Sequence, residues 1–181
     1  MRGTWTAFKI ASYEIREMRI TFILSFLANV ILSLISLAIL PDTVAIHFGL
    51  GGAPNGWASN LTSTLMMLAM HTFVFCSLYF TPRLIKAMPS KWISLPNRDY
   101  WLMPKQRPRA VEIFSHSMWK FGVALFLFML FAGLLALRAN LSDPVQLDEG
   151  ALLTALVVFL AYTVYWTVAL LRAFRVPSNL E

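Results

Sequence analysis

The chain has 181 residues, of which 58% are hydrophobic and only 13% are charged. Soluble globular domains carry about 25% charged residues, so this composition excludes an ordinary water-soluble domain and indicates a membrane protein. A single cysteine excludes a disulfide framework within the chain and a cysteine-rich zinc site. The formal net charge of +6 would suit a nucleic-acid-binding protein. The positions of the basic residues, described below, favour a membrane surface instead.

Four long apolar stretches follow one another along the chain. A bilayer core of about 30 Å needs roughly 20 helical residues, and each stretch approaches or exceeds that length. Because backbone amides inside hydrocarbon must be satisfied within their own segment, these stretches are predicted to be helices. The sequence thus predicts a single all-α integral membrane domain over residues 1–181. Its transmembrane helices are expected at residues 20–40, 61–80, 121–137 and 151–171, with Pro82 and Arg83 ending the second.

Basic residues are concentrated on one side of this four-helix arrangement. All of the 15 Lys and Arg except Arg138 fall before the first span, between the second and third, or after the fourth. The positive-inside rule therefore predicts that both termini are cytoplasmic. Anionic headgroups are sufficient partners for these cations, so no nucleic acid is expected. Apolar residues at three- and four-residue steps predict that residues 1–19 form an amphipathic interfacial helix.

Polar residues inside the spans mark the predicted bundle interior. Five of them lie on one face of the first helix: Thr21, Ser25, Asn29, Ser33 and Ser36. Small and polar residues on one face favour close helix packing, and a substrate path is the alternative. His71 lies in the second span at a depth similar to that of Asn29, so we predict a hydrogen bond between these two side chains. A proton or metal role for His71 remains open, because intramembrane ionisable groups often mark function.

The predicted outer loop, residues 41–60, combines four glycines with two prolines. Glycine supplies positive φ and proline fixes φ, so this composition predicts an ordered turn rather than a flexible connector. We expect His47 and Trp57 to close the turn as a clasp. The candidate partner-binding residues on this surface are His47, Phe48, Pro54 and Trp57.

The predicted cytoplasmic link, residues 83–118, is longer than a plain connection requires. It contains an aromatic motif that we expect to belong to a folded segment on the membrane surface: Asn97, Arg98, Asp99, Tyr100 and Trp101. Apolar residues at helical spacing then lead from Val111 into the third span.

Two short motifs resemble a known domain. The first is a proline followed by His47-Phe48, a glycine-rich turn, Pro54 and Trp57, and the second runs from Pro96 to Trp101. Together they resemble a small bacterial membrane domain of unknown function that also forms the N-terminal part of SdpI-type immunity proteins. Those proteins protect cells from a secreted peptide toxin. The resemblance implies a multi-pass protein of the bacterial inner membrane and a peptide toxin as candidate partner.

Motifs of enzymes are absent from the sequence: there is no phosphate-binding loop, no His-Glu-x-x-His and no nucleophile elbow. We therefore expect no catalytic residue, no metal site and no cofactor. The leading hypothesis is a non-enzymatic membrane protein that binds a membrane-protein or peptide partner. The alternatives are a small accessory subunit of a larger membrane complex and a transporter protomer, which would have to form a homo-oligomer to enclose a pathway.

Overall fold

The computed structural model describes residues 2–176, with side chains described from residue 16 onward. Within this part of the chain, four helices are long and apolar enough to cross a membrane, as predicted. The helices are α1 (Arg2–Ile39), α2 (Asn60–Ala87), α3 (Arg98–Trp101), α4 (Arg107–Asn140) and α5 (Glu149–Ala173), and the strands are β1 (Thr43–Phe48) and β2 (Pro54–Ser59). Short 3-10 turns lie at Leu50–Gly52 and Ser90–Trp92.

The outer loop is a β-hairpin, so the all-α prediction is wrong for this segment. Strands β1 and β2 pair antiparallel, with Thr43 opposite Ser59 and Ala45 opposite Trp57, and the pairing is irregular around Ile46. The run from Thr43 to Phe48 is rich in β-branched and aromatic residues, which favour strands. Of the glycines and prolines that predicted a turn, three glycines connect the strands, whereas Pro54 and Gly56 lie within β2.

Helix α2 passes through Pro82, although we predicted that Pro82 and Arg83 would end it. Proline removes one backbone donor, but membrane helices tolerate it because neighbouring groups satisfy the freed carbonyl groups. The helix ends at Ala87 instead, where the Met88 N–H donates to the Leu84 carbonyl and Pro89 follows. Arg107 donates to the carbonyls of Ile85 and Met88 and so satisfies this helix end.

Helix α1 is continuous from Arg2 to Ile39, without the predicted boundary at residue 19. The side chains of residues 1–15 lie outside the described part of the chain, so the interfacial position of residues 1–19 stays a prediction. Helix α4 likewise extends from the link into the third span, so the helix predicted from the spacing that begins at Val111 is confirmed.

Helices α1, α2 and α4 pack against one another, while α5 packs against α4 and touches the Leu50–Gly52 turn. Gly122 of α4 allows α1 to approach closely, since a Cβ at this position would lie 2.3 Å from the Phe22 ring. One end of this bundle carries the hairpin and the opposite end carries the link, and we call them the hairpin end and the link end.

Candidate functional site

The hairpin is fastened to the bundle by two asparagines at helix ends. The Asn140 side chain, at the end of α4, accepts the Ala45 N–H at 2.7 Å and donates to the Ala45 carbonyl at 3.0 Å. This amide pairs with β1 as a neighbouring strand would. Asn60, at the start of α2, donates to the carbonyls of Leu37 and Leu40, both at 3.1 Å, and so caps α1. Asn140 thus binds β1 directly, and Asn60 joins the two helices on either side of the hairpin.

The hairpin turn is fastened to the loop between α4 and α5. The Leu147 N–H donates to the Gly52 carbonyl at 2.9 Å, and the Gly51 N–H donates to a Glu149 carboxylate oxygen at 2.7 Å. Gly52 has a φ of 78°, and a Cβ there would lie 2.1 Å from the Leu147 carbonyl oxygen, so only glycine fits. We call the hairpin and this loop, residues 43–59 and 141–148, the hairpin cap.

The structure separates the four predicted partner-binding residues. His47 and Trp57 are exposed, whereas Pro54 and Phe48 are half-buried, and Phe48 packs towards Leu135 and Leu147. The His47 ring hydrogen-bonds to the Asn55 side chain, so the contact that closes the hairpin is His47–Asn55 and not the predicted clasp with Trp57. His47 and Trp57 form an accessible surface, and Phe48 belongs to the bundle interior.

A cavity of about 570 Å³ lies beneath the hairpin cap. Its roof comes from Val44, Ala45, Ile46 and Phe48, and its walls come mainly from α1, α2 and α4. Pockets that bind small molecules have volumes of about 300–1,000 Å³, so this cavity is in the range of a ligand site. Met67 and Met70 on its α2 side are 41% and 43% exposed, which makes this wall accessible from outside the bundle.

The two polar residues that we predicted to pair, Asn29 and His71, both line this cavity and are 1% and 5% exposed. The predicted hydrogen bond between them does not form, and the Asn29 amide nitrogen instead donates to the carbonyls of Ser25 and Phe126, both at 2.9 Å. Among the side chains described, neither the Asn29 Oδ1 atom nor the His71 Nδ1 atom has a hydrogen-bond partner. Buried polar atoms are normally paired, so these two atoms mark the site.

An aromatic cluster fills the bundle on the link side of Asn29 and His71. Phe26 and Phe75 stack with their ring centroids 4.5 Å apart, and Phe126 packs against Phe26 at 5.7 Å. Phe22 and Phe126 are fully buried within it. We call Phe22, Phe26, Phe75 and Phe126 the aromatic plug. Because these rings pack closely, the cavity has a floor.

The link motif fixes the end of α5. The Asn97 side chain and the Trp101 indole nitrogen both donate to the Phe174 carbonyl, at 3.0 and 2.8 Å. Trp101 and Phe174 are buried with their rings edge to face. Arg98 and Asp99, by contrast, are exposed, and their 3.9 Å ion pair is weak in that environment. Asn97 and Trp101 thus have a structural role, and Tyr100 packs beside them.

Sequence reasoning missed Asn60 and Asn140, which hold the hairpin cap in place. The available signal was an asparagine just before the second apolar run and another just after the third. Helix ends leave backbone groups unpaired, and an amide side chain is able to pair with them. Of the side chains that the structure describes, no three His, Cys, Asp or Glu residues are grouped so that they could hold a metal ion.

Comparison with known proteins finds one similarity. Searches of the curated proteins and of the solved structures give no match. Residues 24–72 match the model of a family described as a domain of unknown function, DUF1648. The matched region runs from the middle of α1 through the hairpin to the residue after His71, so it covers the roof of the cavity and two of its walls. The similarity to this family is thus confined to residues 24–72.

Proposed function

We propose that this chain is a non-enzymatic, multi-pass protein of the bacterial inner membrane that binds a peptide or protein partner at its hairpin end. The observation that carries the proposal is the anchored hairpin cap, which holds the exposed side chains of Ile46, Leu50 and Trp57 on a fixed scaffold. Apolar groups on a rigid surface bind at low entropic cost, since little has to be ordered on association. The resemblance to SdpI-type immunity proteins makes a secreted peptide toxin the candidate partner.

In this proposal the hairpin end faces outward and both termini are cytoplasmic. The positions of Lys and Arg support that orientation through the positive-inside rule. Replacing Cys76 with Ala and adding one cysteine at Asn55 or Lys105 tests it. In intact cells a membrane-impermeant thiol reagent should label the cysteine at position 55 and leave the one at position 105 unlabelled. The reverse pattern would contradict the orientation and remove the hairpin end as an outer surface.

The binding role is tested by protection of expressing cells against a secreted, membrane-active peptide. We expect Trp57→Ala and His47→Ala to reduce protection while expression and membrane insertion stay normal. Trp92→Ala is the matched control, because Trp92 is an exposed tryptophan at the link end. Wild-type protection by both hairpin variants would show that the hairpin is a structural lid.

A second candidate function, a small subunit of a larger membrane complex, is favoured by α5. This helix packs on one side against α4, and its exposed residues include Val157, Val158 and Val164. Purification from native membranes in mild detergent tests it, since a subunit would bring a stoichiometric partner with it. A transporter protomer is less favoured, because the aromatic plug closes the space between α1, α2 and α4.

A further inference from the structure

The cavity beneath the hairpin cap is mostly apolar, and its polar groups are concentrated along α1 and α2. The polar lining there includes Asn29, Ser33, Ser36, Asn60, Thr64 and His71, among apolar side chains such as Leu32 and Met67. Along α4 the lining consists mainly of apolar side chains, among them Leu125, Met129 and Ala132. A molecule that fills this space must therefore be largely apolar and carry a small polar group.

The polar group of such a molecule is expected at the floor of the cavity, beside Asn29 and His71. Asn29 Oδ1 is a hydrogen-bond acceptor, and both of the amide protons beside it are already donated to carbonyls. His71 Nδ1 donates or accepts according to the tautomer of the ring. A hydroxyl group both donates and accepts, so it suits either atom once that side chain turns towards the cavity. Leaving them unpaired costs about 1–3 kcal/mol for each.

Charge restricts the ligand further. None of the residues that line the cavity in the described part of the chain is Lys, Arg, Asp or Glu. An ionised headgroup would lose its hydration there without a countercharge, which is strongly unfavourable. The accessible wall at Met67 and Met70 lies within a span, so it faces the bilayer, and methionine side chains adapt readily to different apolar shapes.

From these observations we propose that the cavity is a binding site for an uncharged, membrane-derived amphiphile of the long-chain alcohol class. Its hydroxyl group binds Asn29 and His71 at the floor, and its chain packs between α4 and the hairpin roof. This site is distinct from the exposed surface of the hairpin cap and goes beyond the binding of a peptide there.

The experiment uses the full chain in lipid nanodiscs and two photoactivatable probes. One probe is dodecan-1-ol with a diazirine on its chain, and the other is the same molecule as its methyl ether, which accepts hydrogen bonds but cannot donate one. We expect saturable labelling of peptides from α2 and α4 by the alcohol, competed by unlabelled dodecan-1-ol. The ether should label about five- to tenfold less, because it leaves Asn29 Oδ1 unpaired.

Two tryptophan variants separate the cavity from the surrounding lipid. Ala132→Trp places an indole ring in the cavity and should abolish saturable labelling. Ala69→Trp is the matched control, because Ala69 is exposed on the same span as His71 and does not line the cavity. His71→Leu should weaken labelling by both probes and leave their difference, because that difference arises from donation to Asn29 Oδ1.

Two of the outcomes that overturn the proposal are measured on the wild-type chain, and a third uses Ala132→Trp. Equal labelling of wild type by alcohol and ether would mean that the floor is not a hydroxyl site. Labelling that does not saturate, or that survives in Ala132→Trp, would mean contact with bulk lipid alone. Trp57→Ala should label as wild type does, so loss of protection in that variant and loss of probe labelling in Ala132→Trp report separately on the two proposals.

Discussion

The hairpin-end half and the link-end half of the bundle are built from the same three helices, yet one encloses a cavity and the other is filled. In the link half the helices present phenylalanine rings to one another, and Phe22 and Phe126 are fully buried. In the hairpin half, α4 presents Ala132, Gly133 and Ala136, while α1 presents serines. In lipid, helices associate through close packing and hydrogen bonds. Side-chain size at the facing positions therefore decides where a membrane bundle closes.

The largest expected effect tests this contrast with two positions on α4 that are one turn apart. Phe126→Ala removes a fully buried ring from the aromatic plug, and such changes cost about 3–5 kcal/mol in the free energy of unfolding. Met129→Ala shortens a side chain that already borders the cavity, so we expect a cost of about 1 kcal/mol or less. Thermal unfolding in detergent measures both. Equal costs would contradict the contrast between the two halves.

A second test concerns how the hairpin half is held together in spite of its cavity. Gly51 and Gly52 both have a φ of 78°, so alanine is strained by about 1–2 kcal/mol at either position. A Cβ at Gly51 meets nothing within 4 Å, whereas one at Gly52 clashes with Leu147. We expect Gly52→Ala to destabilise the protein by about 2 kcal/mol more than Gly51→Ala. Equal shifts in melting temperature would show that the turn is free to move away from the α4–α5 loop.

Asn140 provides the third test, because its side chain is bonded to both backbone groups of Ala45. Asn140→Ala leaves that N–H and that carbonyl without this partner, and we expect a loss of about 2 kcal/mol. Hydrogen exchange at the Ala45 amide should accelerate more than exchange in the aromatic plug. Arg138→Ala, at an exposed position in the same helical turn, is the control and should leave exchange unchanged.

The sequence predicts the four spans because long apolar stretches have few alternatives in a bilayer. It also places Asn29 and His71 at one depth, and both line the cavity floor. The hydrogen bond predicted between them is wrong, since sequence alone does not show that Asn29 meets the Phe126 carbonyl of a helix distant in sequence. The hairpin was missed because glycines and prolines obscured the strand pattern around it. The roles of Asn60 and Asn140 depend on which helix ends meet, and that arises only in the folded bundle.

The smallest expected effect concerns Asn97 at the link end, which we compare with Asn140 at the hairpin end. At the link end, Asn97 donates to the Phe174 carbonyl, as Asn140 does to Ala45, but Trp101 donates to the same oxygen. Asn97 has a φ of 53°, so Asn97→Gly keeps this conformation accessible and removes the hydrogen bond alone. We expect a cost of about 0.5–1 kcal/mol.

The matched control for Asn97→Gly is Asp99→Ala, since Asp99 is exposed beside the same motif and should have almost no effect on the melting temperature. Trp101→Phe in the Asn97→Gly background should then cost more than it does alone, because the Phe174 carbonyl loses its second donor. Additive effects of the two changes would mean that the buried packing of Trp101 against Phe174 holds the end of α5 by itself. The link end would then be closed by aromatic packing alone, and hydrogen bonds from asparagine would be needed only beside the cavity.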